Sequence, residues 1–305
     1  VSVNVFDDAF AKELDGLTVG EWANRRILSP KVRAVLKSAV QVIFGTEVEE
    51  LSLLYFMRYC KAGGGLMKLC EIDGGGQQDR IVGGAQSFAN AIADKELPGD
   101  VHLSAPVHHI EQTDDHITVH SARGSVTAQR VVVAVPPPLA ARLRYTPALS
   151  VTRDRLTQRM PMGSTIKCHV FYSHAFWRDH GFSGEVVADG HPLTVVFDNT
   201  SVEGTACLLA FIVGRAARRW GRAGIDARRA AVLDALTRYF GPAAGEPTSY
   251  LDHDWGDEEW TRGCPIAFAP PGVLSVDGEA LTRPEGRIHW AGTETATKWT
   301  GFMEG

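Results

Sequence analysis

The sequence lacks the features that mark disulfide-rich, zinc-binding and membrane-spanning proteins. Its 305 residues include only five cysteines, an odd number at wide spacing with no Cys-x-x-Cys pair. Neither a disulfide framework nor a zinc site is therefore expected. No apolar run reaches the roughly 18 residues that a membrane-spanning helix needs, and no secretory signal peptide is recognisable. We expect a cytoplasmic protein that holds no metal, and a membrane is not indicated.

A large excess of one charge sign is absent as well. The chain carries 36 acidic and 31 basic residues, which gives a net charge of −5, and 44% of its residues are hydrophobic. This balance gives no reason to expect a nucleic-acid partner. The composition is that of a globular protein long enough for one large domain or two interleaved ones. A homodimer is left open.

Apolar residues recur at three- and four-residue steps in several segments, which predicts helices. The clearest run covers 32–43 and is ended by Gly45, and the helix over 228–240 is ended by Gly241. Two shorter helices are predicted over 51–59 and 86–95.

Strand patterns begin after about residue 100. The run 131–135 is wholly apolar and is stopped by three prolines, which predicts a strand buried on both faces. Helices and strands are mixed without regular βαβ alternation, so we predict a mixed α/β protein with domains built from non-contiguous segments. The other predicted strands cover 101–103, 107–111, 117–120, 165–172, 193–197, 206–213 and 287–290.

The most informative segment is the last one, RIHWAGTETATKWTGFMEG over 287–305. A strand ends at Gly292, where backbone can approach a ligand closely. A threonine-rich loop follows, and Thr300 is a predicted N-cap for a helix that begins at 301–303. A helix N-terminus suits an anion, although a plain strand–loop–helix connection explains the same pattern equally well.

Five segments, in this order along the chain, carry recognisable motifs: RIVGG (80–84), VVVAVPPP (131–138), GSTIKC (163–168), WTRGCPIAFAPPG (260–272) and AGTETATKWTGFMEG (291–305). Together they resemble the flavin-containing amine oxidases of the monoamine oxidase family, and the resemblance covers nearly the whole chain. No GxGxxG motif, the turn that cradles the cofactor pyrophosphate in that family, occurs in the sequence. We therefore expect the C-terminal portion of such an enzyme, without its N-terminal dinucleotide-binding segment.

The resemblance implies FAD as the cofactor and the oxidation of a primary amine or diamine by dioxygen. The products would be an aldehyde, ammonia and hydrogen peroxide, and the cofactor would carry the difficult chemistry. Two alternatives remain open. One is an oxidase of another substrate class, such as an amino acid or a carotenoid precursor, and the other is an inactive fragment that does not retain FAD.

The resemblance also implies roles for individual residues. Lys167 would hold a water against the flavin, although composition alone favours a lysine at an edge strand that points to solvent. Cys264 is the family's position for a thioether to the flavin, and a buried free thiol is the alternative. The family's two cage tyrosines correspond to Pro265 and Phe302, so one ring and one hydroxyl are absent here. The implied set comprises Lys167, Phe302 and Trp255 as catalytic residues, Val107, Cys264, Gly292, Thr293, Trp299 and Met303 at the cofactor, and Cys70, Gln77 and Pro265 in the substrate cavity.

The same resemblance divides the chain into four segments. Residues 1–81 and 157–257 would form a substrate domain with helices on a mixed sheet. Residues 82–156 and 258–305 would form part of an FAD-binding domain. For Trp255, Gln77 and Cys70, ordinary core packing remains an alternative to substrate contact.

Overall fold

The structure is a computed structural model that describes residues 9–95, 99–188 and 192–303. The chain forms two compact units, each assembled from two segments. Unit 1 comprises Val1–Phe56 and Arg159–Val276, and unit 2 comprises Met57–Gln158 and Asp277–Gly305. Relative to the predicted domains, residues 57–81 lie in unit 2 and 258–276 in unit 1. The division into a substrate domain and an FAD-binding domain stays a prediction.

The described residues form helices and strands in the following order. The helices are α1 Ala9–Asp15, α2 Val19–Arg26, α3 Pro30–Phe44, α4 Leu53–Ala62, α5 Leu66–Cys70, α6 Gln86–Lys95, α7 Pro137–Ala140, α8 Val151–Arg159, α9 Phe176–Asp179, α10 Gly214–Trp220, α11 Ile225–Phe240 and α12 Leu274–Asp277. The strands are β1 Val107–Gln112, β2 Ile117–Ser121, β3 Gly124–Ala128, β4 Val131–Val133, β5 Arg144–Thr146, β6 Thr165–Tyr172, β7 Val186–Val187, β8 Val195–Asp198, β9 Ala206–Val213, β10 Ser249–Asp254 and β11 Ile288–Trp290.

Unit 1 is built on an antiparallel five-stranded sheet with the order β10-β6-β9-β8-β7. One face of this sheet packs against α11 in the core of the unit. Because side chains alternate across a strand, β6 buries Ile166, Cys168 and Val170 in that core and directs Lys167 and His169 to the opposite, partly exposed face. The sheet therefore separates a packed face from a face that carries polar and aromatic side chains.

The helices of unit 1 begin and end where the sequence provides caps. Thr18 and Glu21 form a reciprocal capping box at the start of α2. The Ser29 hydroxyl accepts from the Val32 amide at the start of α3, and Gly45 ends that helix with a φ of 64°. These local signals explain why the periodic run at 32–43 forms a helix with bounds close to those predicted.

Unit 2 contains two sheets. The larger has the order β3-β2-β1-β5, in which only the β1–β5 pair is parallel, and β11 pairs with β4 in a parallel two-stranded sheet. A small core joins both sheets around Ile110, Ile117 and Trp290. Helix α6 buries none of its residues, and Phe88 and Ile92 on it are 51% and 53% exposed.

The mixed α/β class is confirmed, and most predicted elements are present at nearly the predicted positions. Strands β6 and β9 and helix α6 have the predicted bounds, and α3 and α11 extend the predicted helices by a few residues. The prediction missed mainly short elements, such as β5 and β7, and the edge strand β10. Short elements carry too few residues for periodicity to identify them.

Three predictions are wrong. Residues 101–103 form no strand and lead into a turn. The run 131–135 is a strand only over Val131–Val133, and Val132 is 59% exposed, so the described residues do not cover the face of β4 that carries Val132. Residues 300–303 form turns and not the start of a helix, and the Thr300 hydroxyl donates to the Ala296 carbonyl at 2.7 Å.

Candidate active site

Lys167 lies on β6, an inner strand of the unit 1 sheet between β10 and β9. The edge-strand alternative is therefore wrong. Its register neighbours are His253 on β10 and Phe211 on β9, and its ammonium is 5.5 Å from the centre of the Phe211 ring. His169 follows on the same face, and the pKa of its imidazole is lowered by burial and by the nearby Lys167 charge. Lys167 is thus a half-buried cation on the partly exposed face.

Thr165 links the segments of unit 1 that carry the predicted residues. Its carbonyl accepts a hydrogen bond from the Trp255 amide at 3.2 Å, and its hydroxyl donates to the Cys264 carbonyl at 2.9 Å. Because Thr165 is two residues before Lys167 on β6, the strand that carries the lysine also holds the backbone of Trp255 and Cys264. The structure thus brings these three predicted residues together, with the exposed Pro265 next in the chain.

The Cys264 backbone packs directly against the backbone at Gly45 and Gly163, and neither glycine has room for a side chain. A Cβ at Gly45 or at Gly163 would overlap the Cys264 carbonyl, and the Cys264 amide donates to the Gly163 carbonyl at 2.9 Å. Burial raises the pKa of the Cys264 thiol, and the charge of Lys167 partly opposes that rise. The thiol is therefore held at a defined place next to a cation and is mostly protonated at neutral pH.

The predicted residues of unit 2 meet in the threonine-rich loop after β11. The Thr293 hydroxyl donates to the Phe302 carbonyl at 2.9 Å, and the Phe302 amide donates to the Trp299 carbonyl at 3.0 Å. The Trp299 and Phe302 rings meet edge to face with centroids 5.2 Å apart. These contacts form a compact loop that presents Phe302 and is followed by the 71% exposed Met303.

The helical pair α4–α5 and the glycine-rich segment after it pack against this loop. The Trp299 amide donates to the Ala62 carbonyl at 3.0 Å, and the Lys68 ammonium is 5.6 Å from the centre of the Trp299 ring. A Cβ on Gly76 would be 3.4 Å from the Phe302 ring, so that ring lies against the backbone just before Gln77. Phe302 and the predicted cavity position Gln77 are therefore neighbours.

Cys70 is the last residue of α5, and Gln77 follows the glycine-rich segment after that helix. The Gln77 side-chain amide donates to the Leu69 carbonyl at 3.2 Å. Both residues are exposed within unit 2. Burial of its sulfur and the neighbouring Glu71 raise the pKa of the Cys70 thiol.

Gly292 and Val107 differ in their surroundings. Gly292 has a φ of 126°, and a side chain there would find only the Glu294 carboxylate within reach, at 3.7 Å. This leaves open space over the backbone at the end of β11. Val107 begins β1 in the larger sheet of unit 2, and its side chain is 36% exposed.

Sequence reasoning missed two residues at these places. Thr165 is a buried strand residue whose role depends on side-chain and backbone bonds to segments about 100 residues later. Tyr59 on α4 lies against Gly301 and is 5% exposed. Both positions follow the apolar spacing of their own elements, so the sequence contains no signal that separates them from ordinary core residues.

A family model described as flavin containing amine oxidoreductase matches residues 7–305 of this chain. The chain belongs to this family. It is 39% identical over 297 residues to a probable flavin-containing monoamine oxidase A of Dictyostelium discoideum, and 34% identical over 301 residues to the flavin-containing amine oxidase B of Canis lupus familiaris. The alignments cover 97% of this chain in both cases, but only 65% and 58% of those relatives. The chain therefore spans less than two thirds of their length.

Solved structures of the amine oxidase fold agree with this assignment. The chain superposes on cyclohexylamine oxidase from Brevibacterium oxydans with a TM-score of 0.93 and 34% identity, covering 99% of this chain and 67% of that one. It superposes on putrescine oxidase bound to putrescine with a TM-score of 0.93 and 29% identity, covering 98% and 67%. The predicted family and fold are confirmed.

The described residues of this amine oxidase chain fit a flavin. Within the described part of the chain, no hydrogen-bond acceptor meets the buried indole N–H of Trp255. The backbone at Gly292 is open, and Cys264 provides a half-buried thiol. Unit 1 by itself thus offers an unsatisfied donor and a thiol, and unit 2 by itself offers an open glycine, and an aromatic, hydrogen-bonding cofactor can use each of these groups. No helix in this part of the chain is long and apolar enough to cross a bilayer, and no three potential ligand side chains in it gather around a metal site.

Proposed function

We propose that the protein containing this chain oxidises a primary amine with dioxygen to an aldehyde, ammonia and hydrogen peroxide, with FAD as cofactor. The bond network of Thr165, which ties Lys167, Trp255 and Cys264 to one strand, is the observation that carries this proposal. The relatives named for monoamine, cyclohexylamine and putrescine oxidation support an amine as the substrate. FAD, when bound, supplies the two-electron oxidation.

The residues of the chain would orient and protect the reacting amine. Lys167 would hold a water at a fixed position, because its ammonium is kept on one face of the sheet beside Phe211. Phe302 would provide an apolar wall for the carbon attached to the amine. Gly292, Thr293, Trp299 and Met303 would contact the cofactor, and Val107 would meet its adenosine end.

The amine is expected to carry an apolar body. On the face of β9 that carries Phe211, the partly exposed side chains also include Leu209, and the Phe197 ring on β8 meets Phe211 edge to face at 5.9 Å. Aromatic and aliphatic surface of this kind favours hydrocarbon over a second charged group. We therefore place monoamines before diamines among the expected substrates.

An assay of hydrogen peroxide release tests the proposal. The purified flavin-loaded protein is given benzylamine, hexylamine, cyclohexylamine, putrescine, and a set of amino acids. Release with the monoamines, and less with putrescine, is expected. Turnover of amino acids alone would favour the other substrate class, and a protein without visible flavin absorption would refute the flavin-dependent function.

A further inference from the structure

Tyr59 and Gly301 are in close contact within unit 2. Tyr59 lies in the last turns of α4, and Gly301 lies in the loop that presents Phe302. A Cβ at Gly301 would overlap both the hydroxyl and the ring of Tyr59, and Gly301 has a φ of 90°, which favours glycine. The Tyr59 ring therefore lies directly against the loop backbone at Gly301.

Hydrogen bonds also hold the loop around this contact, and the Gly301 amide itself donates to the Thr293 carbonyl at 3.4 Å. The Trp299 amide donates to Ala62, which follows Tyr59 on α4 by three residues. Thr293 holds the Phe302 carbonyl. The helix thus anchors the loop just before Gly301, and the loop's own threonine anchors it just after, while Tyr59 supports the residue between the two anchors.

The surroundings of Tyr59 keep its phenol neutral. Burial raises the pKa of Tyr59, and the charges of Cys60 and Glu294 raise it further. Glu294 is itself only 8% exposed and lies in the same loop. The Tyr59 side chain is therefore an uncharged aromatic ring at any physiological pH.

We propose that Tyr59 is a positioning residue of the amine-oxidising site, which sets the place of the Phe302 ring by supporting Gly301 from α4. It acts on the substrate through Phe302 and not by its own contact. The inference rests on the proposed function, because the role of Phe302 comes from the family resemblance. The Gly301–Tyr59 contact itself is independent of that role.

The test replaces Tyr59 in the flavin-loaded protein. Tyr59→Leu removes the aromatic ring that supports Gly301. KM for benzylamine is then expected to rise roughly ten-fold while kcat changes less, because a displaced Phe302 ring positions the substrate less well. The visible circular dichroism of the bound flavin is expected to change in the absence of substrate. Tyr59→Phe keeps the ring and is expected to retain KM within about two-fold of the wild type.

Tyr172→Leu serves as the matched control. Tyr172 is a buried tyrosine of the unit 1 core, 7% exposed, whose hydroxyl donates to the Ala244 carbonyl at 2.9 Å. Its replacement is expected to lower the melting temperature and to leave KM and the flavin spectrum unchanged. If Tyr59→Leu behaves in the same way, Tyr59 is only a core residue and the proposal is overturned. A Tyr59→Phe variant as impaired as Tyr59→Leu would also overturn the steric role.

Two further measurements keep the outcome decisive. If Tyr59→Leu does not fold, Gly301→Ala tests the same contact from the loop side, with the same expected changes in KM and in the flavin spectrum. The spectrum needs no amine turnover. A wild-type protein that holds flavin but oxidises no amine would therefore refute the proposed function, while an altered spectrum in the variants would still support the positioning role.

Discussion

The Lys167 ammonium lies 5.5 Å from the centre of the Phe211 ring, its register neighbour on the adjacent strand. A cation over an aromatic face at an incompletely buried site gains about 0.5–1 kcal/mol, enough to favour one orientation of a flexible side chain. The pairing thus holds the lysine on the partly exposed face of the sheet. The same strand is bonded through Thr165 to the segments that carry Trp255 and Cys264.

Replacing this lysine is expected to affect one half of the catalytic cycle. In the flavin-loaded protein, Lys167→Met should slow reoxidation by dioxygen about 10- to 100-fold, as losing one preorganised charged donor does, and should slow reduction by amine less. Stopped-flow absorption measures both halves separately. Lys31→Met, which removes an exposed lysine on α3, should change neither. Unchanged reoxidation in Lys167→Met would remove Lys167 from this role.

Cys264 is the expected attachment point if the flavin is covalent. The thiolate is the reactive form, and burial raises the pKa of this thiol, so attachment should become faster between pH 7 and pH 9. Acid precipitation of the flavin-loaded protein should leave a yellow pellet in the wild type and in Cys207→Ala. Cys264→Ala should leave a colourless pellet. A colourless wild-type pellet would show that no bond forms.

Asp15 is fully buried and should contribute strongly to the stability of unit 1. Its carboxylate accepts hydrogen bonds from the Ser52 hydroxyl at 2.5 Å and from the Ser275 amide and hydroxyl at 2.8 Å. Asp15→Ala leaves these donors unsatisfied, which should lower the free energy of unfolding by about 2–4 kcal/mol. Urea titration can measure this loss. Glu13→Ala, on the exposed side of the same helix, should have little effect, and equal losses in both variants would contradict the prediction.

Asp198 should make stability depend on acid pH. Burial opposes its ionisation, but hydrogen bonds from Thr200, Trp177 and Arg178 outweigh burial and lower the pKa of this carboxyl below its usual 3.8. Because the folded-state pKa is depressed, the stabilisation is fully present above pH 3.8 and is lost as pH falls towards the folded value.

The variant Asp198→Asn tests this dependence. It should lower the free energy of unfolding by about 1–2 kcal/mol at pH 7, and the difference from the wild type should shrink below about pH 4. The fluorescence of the buried Trp177, whose indole N–H donates to Asp198 at 2.9 Å, can report unfolding across this range. Glu246→Gln provides an exposed control without this effect. A difference that stays constant with pH would refute the assignment.

Residues 1–305 expressed alone should bind FAD more weakly than micromolar. The sequence contains no glycine-rich turn for the pyrophosphate, and unit 2 exposes Phe88, Ile92 and Val132 by half or more. The isolated polypeptide should therefore be poorly soluble and colourless. Titration of the soluble fraction with FAD, followed by flavin fluorescence, measures the affinity. Micromolar or tighter binding would mean that the pyrophosphate site is encoded in this chain.

Elements with strong local signals were predictable. Helix α3 combines an apolar repeat with a serine cap, a proline in the first turn and a terminal glycine, so local terms all favour one helix. Strand β6 alternates across eight residues because one face is buried. The run 131–135 misled for the opposite reason: its composition favours burial on both faces, but burial depends on which elements pack against each face, and Val132 is 59% exposed.

The residues of the candidate site also divide into those with a local sequence signal and those whose role depends on distant segments. Motif resemblance predicts roles for Lys167, Cys264, Trp299 and Phe302, because each lies within a short continuous motif. It missed Thr165 and Tyr59, whose partners are distant in sequence. It also expected a helix at Thr300, where the chain forms turns and the Thr300 hydroxyl donates to the Ala296 carbonyl.

By itself the sequence determined the mixed α/β class, the amine oxidase family and the bounds of the long elements, since periodicity, caps and short motifs act over a few residues. Only the tertiary structure decided which faces of the sheets are covered, that Lys167 stands beside Phe211 on an inner strand, and that Tyr59 supports Gly301. Such relationships arise from packing and hydrogen bonds between segments far apart in the chain, and no local pattern specifies them.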